Sequence, residues 1–183
     1  MEKKLYQKKY DHTTEVKKNI KEEEPYTLAM VLSEFARESP RFDFSILATD
    51  ISTEILERAR QAIYAEDRIE PIPEALRSRY LLRSKNRDAG LIRIAPSLRQ
   101  RVRFDHLNFL DSDFGIRGSV DVIFCRNVFI YFERGTQEAV LRRFCRHLTA
   151  GGYLFLGHSE TINGLDAPLS QVAPTVYRHL PHP

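Results

Sequence analysis

An acidic residue follows an apolar run in the first third of the chain, at a place where a small-molecule site could begin. The run Phe44–Ala48 stops at Thr49 and Asp50. A carboxylate at the end of a strand can accept two hydrogen bonds from a ribose diol. The same carboxylate can equally help to start the next helix, so the spacing alone leaves both roles of Asp50 open.

An amide and an aromatic side chain follow a later apolar run. Asn127 comes just after Val120–Cys125, and its side chain or the neighbouring backbone could hold a ligand's polar group. The alternative is a simple turn, since asparagine tolerates turn conformations. Tyr131 lies in the cluster Phe129–Phe132, and such clusters are more often core. A tyrosine face beside a cationic ligand would contribute about 0.5–2 kcal/mol.

Several kinds of catalytic site are excluded. The histidines form no HExxH or similar ligand pair, so we expect no metal site. No GxSxG elbow is present, which argues against a hydrolase. All glycines lie at or after Gly90, so the first half has no glycine-rich nucleotide loop. Cys125 and Cys145 form no CxxC pair, and Cys125 is expected to be an inert small hydrophobe. A binding-and-transfer reaction that depends on positioning remains.

The elements that must position these residues alternate between helices and strands. Helices are predicted at about 25–37, after Ser52 or Thr53, at 73–82, and after Glu133 with Gly151–Gly152 as the stop. Strands are predicted at 44–48, 102–108, 120–125, 153–156 and 175–177, with a β-hairpin spanning 81–94. Because the strands are apolar throughout, we predict an α/β fold with a mostly parallel, buried sheet. Ligands of such sheets bind beyond the carboxyl ends of the strands.

The composition of the 183 residues fits one globular domain, with 42% apolar and 29% charged residues and a net charge of +3. No stretch is apolar enough for a membrane span, and the N-terminus has no apolar signal region. Seven of the eight lysines lie at or before Lys21, whereas every arginine lies at or after Arg37. Residues 1–21 are therefore predicted to be a charged leader outside the fold, and residues 22–183 the domain.

Residues 77–103 form a basic block, in which nine lysines and arginines face one acid, Asp88. A block of this kind can bind an acidic partner, or it can be a solvated face. A nucleic-acid binder is a weaker alternative that no other part of the sequence supports.

Six segments together resemble the catalytic domain of the CheR-type chemoreceptor glutamate methyltransferases. They are EEPYTLAM (23–30), ILATDISTEILERAR (46–60), Leu107–Asn108, DVIFCRNVFIYF (121–132), LRRFCRHL (141–148) and GGYLFLGHSE (151–160). They run in family order with family-like spacing. The resemblance implies a Rossmann-like methyltransferase sheet with a small inserted antiparallel β-subdomain at about 77–103.

The resemblance also implies S-adenosylmethionine as cofactor and assigns its contacts. Glu24 matches the acid that holds the amino group of the methionine part, and Asp50 matches the acid that binds the ribose. Asn108 and Phe109 match the pair that lines the adenine pocket. Asn127 and Val128 match the pair beside the cofactor's methionine end. Tyr131 matches the aromatic residue near the transferred methyl group.

The function implied by the resemblance is methyl transfer to glutamate carboxylates on the cytoplasmic helices of chemoreceptors. We accordingly expect a cytoplasmic, monomeric enzyme of bacterial chemotaxis that binds no nucleic acid and does not insert into a membrane. The basic block falls on the β-subdomain and favours an acidic receptor surface as partner.

The sequence departs from the family just before the EEPY match. Family members carry there a first strand and a glycine-containing loop, whereas His12–Lys21 contains no glycine and almost no apolar run. The first strand is therefore expected to be missing, which would expose two strand edges. The family's helical N-terminal domain has no match either. The alternative function is thus a catalytically impaired remnant that acts as a binding or interaction module.

Overall fold

A computed structural model describes residues 24–180 of the chain. The predicted leader, residues 1–21, lies outside the described residues. The described residues divide into two compact units, the first ending at His106 and the second beginning at Leu107. That residues 22–183 act as one domain stays a prediction.

The first unit combines helices with a parallel strand pair and a small antiparallel sheet. In chain order its elements are α1 (Glu24–Glu38), β1 (Ile46–Asp50), α2 (Thr53–Gln61), β2 (Ile63–Ala65), α3 (Glu74–Tyr80), β3 (Leu81–Arg83), β4 (Leu91–Ile94), α4 (Pro96–Arg99) and β5 (Val102–His106). The strands β1 and β5 pair in parallel, with Asp50 opposite His106 at their carboxyl ends. The predicted parallel pairing is therefore confirmed here.

The first helix packs one face onto the core of this unit, where Tyr26, Ala29 and Met30 are buried. The spacing of apolar residues predicts a different face, formed by Leu28, Val31, Leu32 and Phe35. This expectation is wrong, because Val31 is 58% and Phe35 53% exposed. The hydroxyl of Tyr26 donates a hydrogen bond of 2.9 Å to the carbonyl of Ala59 in α2. Its ring lies 5.7 Å from that of Phe104 in β5, measured between centroids. One side chain thus ties α1 to α2 and β5.

The second helix starts and stops at residues with clear local geometry. Ser52 is its N-cap, as expected, and the Ser52 hydroxyl accepts a 3.4 Å hydrogen bond from the backbone of Ile55. The helix ends at Ala62, which adopts a left-handed conformation with φ 56°. Alanine gives no sequence signal for such a turn. The apolar spacing of Ile55, Leu56, Ala59 and Ile63 predicts that the helix continues to Ile63, whereas Ile63 begins the strand β2.

The inserted β-subdomain is an antiparallel sheet in the order β2-β4-β3. The predicted hairpin of residues 81–94 is confirmed by β3 and β4, with Leu81 opposite Ile94. The strand β2 adds a third member through Tyr64, which lies opposite Ile92.

The second unit is built around one mixed sheet. Its elements are β6 (Val120–Cys125), a short 3-10 helix (Phe129–Tyr131), α5 (Arg134–His147), β7 (Leu148–Leu156), β8 (Leu169–Ala173) and β9 (Val176–His179). The sheet order is β6-β7-β9-β8. The β6–β7 pair is parallel and aligns Cys125 with Leu156 at the carboxyl ends, whereas β9 runs antiparallel to β7. Beneath this sheet α5 buries Val140, Leu141 and Phe144.

Two expectations about this sheet were wrong. The strand β6 is not buried throughout, because Val122 is 42% and Phe124 50% exposed. Its apolar composition therefore does not reflect burial on both faces. The second error concerns Gly151–Gly152, which lie inside β7 and do not end α5. The helix stops earlier, at His147, since Leu148 already has extended backbone angles.

Two strand edges carry no partner within residues 24–180. There β1 pairs with β5 alone and β6 pairs with β7 alone. The segment His12–Lys21, where the first strand is expected to be missing, lies outside the described residues. None of the helices within the described part of the chain is long and apolar enough to cross a bilayer.

Candidate functional site

The turn after β1 contains the first predicted site residue. Asp50 is the last residue of the strand, and its Oδ1 accepts a 2.7 Å hydrogen bond from the backbone N–H of Ser52. Since Ser52 is also the N-cap of α2, Asp50 does help to start the helix. This role uses one carboxylate oxygen and is compatible with a ligand at the other.

The surroundings of Asp50 change its acidity. Burial raises the pKa of the Asp50 carboxyl above its ordinary value, against the opposing effects of hydrogen bonds from the backbone at Ser52 and Ile51 and of the charge of His106. A half-buried carboxylate at the carboxyl end of a parallel strand has the chemistry of a diol acceptor.

Glu24 lies at the other predicted position in the first unit. It is the first residue of α1 and is exposed. A carboxylate in the first turn interacts favourably with the positive end of the helix dipole. The structure thus gives Glu24 a local structural role, and its binding of an amino group stays a prediction.

Asn108 and Phe109 lie at the start of the second unit, in a turn that follows Leu107. The Asn108 side chain accepts a 2.9 Å hydrogen bond from the backbone N–H of Leu110. The Phe109 ring packs into an aromatic cluster, 5.3 Å from the ring of Phe144 and 5.7 Å from that of Phe114. These contacts hold both residues in place, and their role at an adenine ring stays a prediction.

The loop after β6 is the most strongly organised part of the second unit. Asn127 adopts a left-handed backbone conformation with φ 58°, so the turn interpretation of this residue is correct for its backbone. The side chain is exposed, as a ligand-binding amide would be. Val128 follows and is half-buried.

A buried carboxylate holds this loop. Glu160 is 5% exposed. Its Oε1 accepts hydrogen bonds of 2.7 Å from the backbone N–H groups of Val128 and Phe129. Its Oε2 accepts a 2.9 Å bond from the backbone of Asn127 and a 2.7 Å bond from that of Gly157. One side chain thereby joins the loop after β6 to the loop after β7.

Two neighbours complete this arrangement. A Cβ atom on Gly157 would lie 2.7 Å from Oε2 of Glu160 and 2.8 Å from Oδ1 of Asn127, so only glycine fits there. The side-chain amide of Gln137 donates to the carbonyl oxygens of Phe129 and Phe132 at 2.9 and 3.1 Å. We call Asn127, Val128, Phe129, Gly157 and Glu160 the Glu160 clamp.

The clamp was missed from the sequence, although the signal was partly visible. Glu160 ends the segment GGYLFLGHSE that resembles the family, but the sequence indicates no role for its side chain. Its partners at 127–129 are more than 30 positions away. Only the parallel alignment of β6 with β7 brings the two segments together.

A cavity lies beside the 3-10 helix that ends in Tyr131. Tyr131 is 39% exposed, which contradicts the alternative that it is core. A cavity of about 310 Å³ opens between the segments 129–137 and 159–165, and Glu160 contributes to its wall. Tyr131 is not among the residues that line it.

The basic block does not form one uniform positive patch. Arg79 pairs with Glu34 and Arg101 with Asp43, while Arg83 lies 3.1 Å from a carboxylate oxygen of Glu66. Ion pairs as exposed as these are each worth about 0–1 kcal/mol. The block is therefore partly neutralised within its own unit, and its binding of an acidic partner stays a prediction.

No group of histidine, cysteine, aspartate or glutamate side chains within residues 24–180 is arranged to hold a metal ion. Both cysteines are free and buried. Burial, and next to it the charge of Glu160, raises the pKa of the Cys125 thiol well above its usual range, while burial raises that of Cys145 to about 11. High thiol pKa values of this kind make unreactive cysteines.

Parallel strands that end in polar turns define a class of α/β proteins that bind nucleotide-like ligands at those ends. A family model described as the CheR methyltransferase, SAM binding domain, matches residues 18–178. The chain therefore belongs to the CheR methyltransferase family, and the matched domain is the one that binds S-adenosylmethionine in that family.

Individual relatives agree with this assignment. The chain is 41% identical over 155 residues to chemotaxis protein methyltransferase 2 of Pseudomonas aeruginosa, covering 85% of this chain and 55% of the relative. It is 39% identical over 155 residues to the chemotaxis protein methyltransferase of Escherichia coli, covering 85% and 54%. The chain thus spans about half the length of these relatives.

Among solved structures, the chain resembles a glycopeptide N-methyltransferase, MtfA, in complex with S-adenosylmethionine. The TM-score is 0.40 at 15% identity, with 84% of this chain and 67% of that chain covered. A likeness at this level adds nothing to the family assignment.

Proposed function

We propose that this domain binds S-adenosylmethionine and takes part in methyl transfer to glutamate side-chain carboxylates of chemoreceptors. The observation that carries the proposal is the match of residues 18–178 to the S-adenosylmethionine-binding domain of the CheR family. Relatives named chemotaxis protein methyltransferases support the chemotaxis setting.

The residues proposed for the cofactor fit its chemistry. The half-buried carboxylate of Asp50 suits the ribose hydroxyls. The exposed amide of Asn127 suits the polar methionine end, beside which the half-buried Val128 is proposed to lie, and Glu24 suits its ammonium group. Asn108 and Phe109 are proposed for the adenine ring.

The reaction requires no general base. A glutamate carboxylate is already ionised near pH 7 because its ordinary pKa is about 4.3. When bound, S-adenosylmethionine supplies a methyl group on a positively charged sulfur. A lone pair of the receptor carboxylate forms the new oxygen–carbon bond while the carbon–sulfur pair returns to sulfur, giving a methyl ester and S-adenosylhomocysteine.

The work of this chain is therefore alignment and exclusion of water. Holding the reacting atoms in line converts binding free energy into rate. Tyr131 is proposed to present its ring beside the transferred methyl group, where the ring face stabilises positive charge. The exposed ring meets the first requirement for this role, which is access to a ligand.

The alternative function is binding without turnover. It is favoured by the sequence of His12–Lys21, which has no glycine and almost no apolar run where family members carry a glycine-containing cofactor loop.

Labelled-methyl transfer to a receptor cytoplasmic fragment separates the two functions. The proposal predicts base-labile label on the fragment, which falls at least about tenfold with Asp50→Ala. Glu133→Gln, at an exposed position, is the matched control. Cofactor binding without transfer would support the binding module, and absence of both would refute the proposed function.

A further inference from the structure

The Glu160 clamp joins two strand ends at the place where ligands of parallel sheets bind. Cys125 of β6 and Leu156 of β7 are register partners. Glu160 bonds to backbone N–H groups on both following segments, at residues 127–129 and at Gly157. The carboxylate thus replaces the strand-to-strand hydrogen bonds that end where β6 and β7 end.

The clamp acts on backbone whose conformation needs support. Asn127 has φ 58°, a region that costs a non-glycine residue free energy. The three consecutive N–H groups at 127–129 converge on one carboxylate, and charge-assisted bonds of this type are stronger than neutral ones. The Glu160 backbone N–H also donates to the Gly157 carbonyl at 3.0 Å, which closes the turn around the carboxylate.

We propose that Glu160 is a positioning residue, which sets the Asn127–Val128 backbone for the methionine end of the cofactor without touching the cofactor. This rests on the proposed function, because the assignment of Asn127 and Val128 to the methionine end comes from it. Glu160 is buried, and both of its oxygens are engaged by backbone N–H groups. Its effect on binding therefore passes through the loop.

We expect Glu160→Gln to weaken the contacts of the cofactor's amino-acid half and not those of its adenosine half. Glu160→Gln has the same shape, but its amide nitrogen cannot accept the two N–H groups that one carboxylate oxygen accepts. The loop then shifts while the adenosine contacts remain. S-adenosylhomocysteine carries the amino-acid half, whereas 5′-methylthioadenosine lacks it. A merely structural role would weaken the binding of both ligands or of neither.

The test is calorimetric titration of the full chain with each ligand. We expect Glu160→Gln to weaken S-adenosylhomocysteine at least about tenfold and to change 5′-methylthioadenosine less than about twofold. Glu133→Gln repeats the same chemical change at an exposed position and should leave both affinities as in the wild type. Equal weakening of both ligands, or no change in either, would overturn the proposal.

Amide hydrogen exchange distinguishes failure of this proposal from failure of the proposed function. In the wild type, the amides of Asn127, Val128, Phe129 and Gly157 should be protected, and Glu160→Gln should remove that protection while α5 keeps its own. If the wild type binds neither ligand but shows this pattern, the proposed function fails and the clamp stands.

Hydrogen exchange of the wild type tests the proposal even if the Glu160→Gln variant does not fold. Fast exchange at all four amides in the wild type would show that Glu160 does not hold the loop. That result would overturn the positioning role whatever the variant does.

Discussion

The carboxylate of Glu160 and the backbone N–H of Asn127 lie 2.9 Å apart across 33 positions of the sequence. This contact forms because β6 and β7 run side by side in parallel and end together. It makes the family segments DVIFCRNV and GHSE two halves of one local structure. The contact also explains why a glycine stands at 157, between the two residues.

Gly157→Ala is predicted to destabilise the protein. The new Cβ would lie 2.7 Å from a Glu160 oxygen and 2.8 Å from the Asn127 side chain, so the clamp must shift. We expect a loss of about 1–3 kcal/mol in the free energy of unfolding, measured by urea titration. Gly135→Ala is the matched control, since nothing lies within 4 Å of its Cβ and it is in helix α5. The control should be neutral or gain up to about 1 kcal/mol. Equal effects of the two substitutions would contradict the close approach at Gly157.

Tyr26→Phe should reveal the link between α1 and α2. The substitution removes the hydrogen bond from the tyrosine hydroxyl to the Ala59 carbonyl and keeps the ring packing. The expected cost is about 0.5–1.5 kcal/mol in the free energy of unfolding. Tyr153→Phe makes the same change at a tyrosine that is 37% exposed, where about 0.5 kcal/mol or less is expected. A larger cost at Tyr153 than at Tyr26 would be inconsistent with the structure.

Asp50→Asn should change the dependence of stability on pH. Because burial raises the pKa of Asp50, the folded protein holds this proton more tightly than the unfolded chain does. The stability that the proton contributes is complete below the ordinary pKa and is lost as the pH rises through the raised value. Asparagine carries no charge, so the variant should gain stability relative to the wild type at pH 7.

The gain should shrink as the pH is lowered toward 4, which is close to the ordinary pKa of an aspartate of about 3.9. Urea titrations at both pH values measure it. Asp111→Asn, at an exposed position, is the control and should show a smaller dependence. A gain for Asp50→Asn that grows toward pH 4 would show that the direction of the pKa shift is wrong.

Much of the fold could be predicted because each unit follows simple periodicities. Apolar residues at helical spacing predict a helix where α1 lies, although the face that packs is Tyr26, Ala29 and Met30 and not the predicted one, which contains Val31 and Phe35. The hairpin of β3 and β4 follows from apolar runs on either side of a polar stretch that contains Gly90. Ser52 caps α2 as the residue type indicates.

What could not be predicted depends on contacts that are distant in sequence or on unusual backbone geometry. Ala62 adopts a left-handed conformation with φ 56°, although it is not a glycine. The end of α2 and the start of β2 could therefore not be predicted from residue type. The exposure of Phe124 could not be read from an apolar strand, because composition does not tell which face is covered. Glu160 gained a role only once two parallel strands brought its partners together.

Both thiols should be unreactive in the folded protein. Cys125 and Cys145 are buried, and their pKa values are raised. An aromatic disulfide reagent at pH 8 should therefore react with neither thiol on the time scale of seconds, and with both after denaturation in urea. Immediate reaction of either thiol in the native protein would show that its surroundings are open.

We propose above that this chain carries a working part of an S-adenosylmethionine site. Isothermal titration of the full chain with S-adenosylhomocysteine tests it most directly, with circular dichroism to show that the protein is folded. We expect saturable one-to-one binding that Asp50→Ala weakens at least about tenfold. A folded protein that gives no binding heat at millimolar ligand would contradict it.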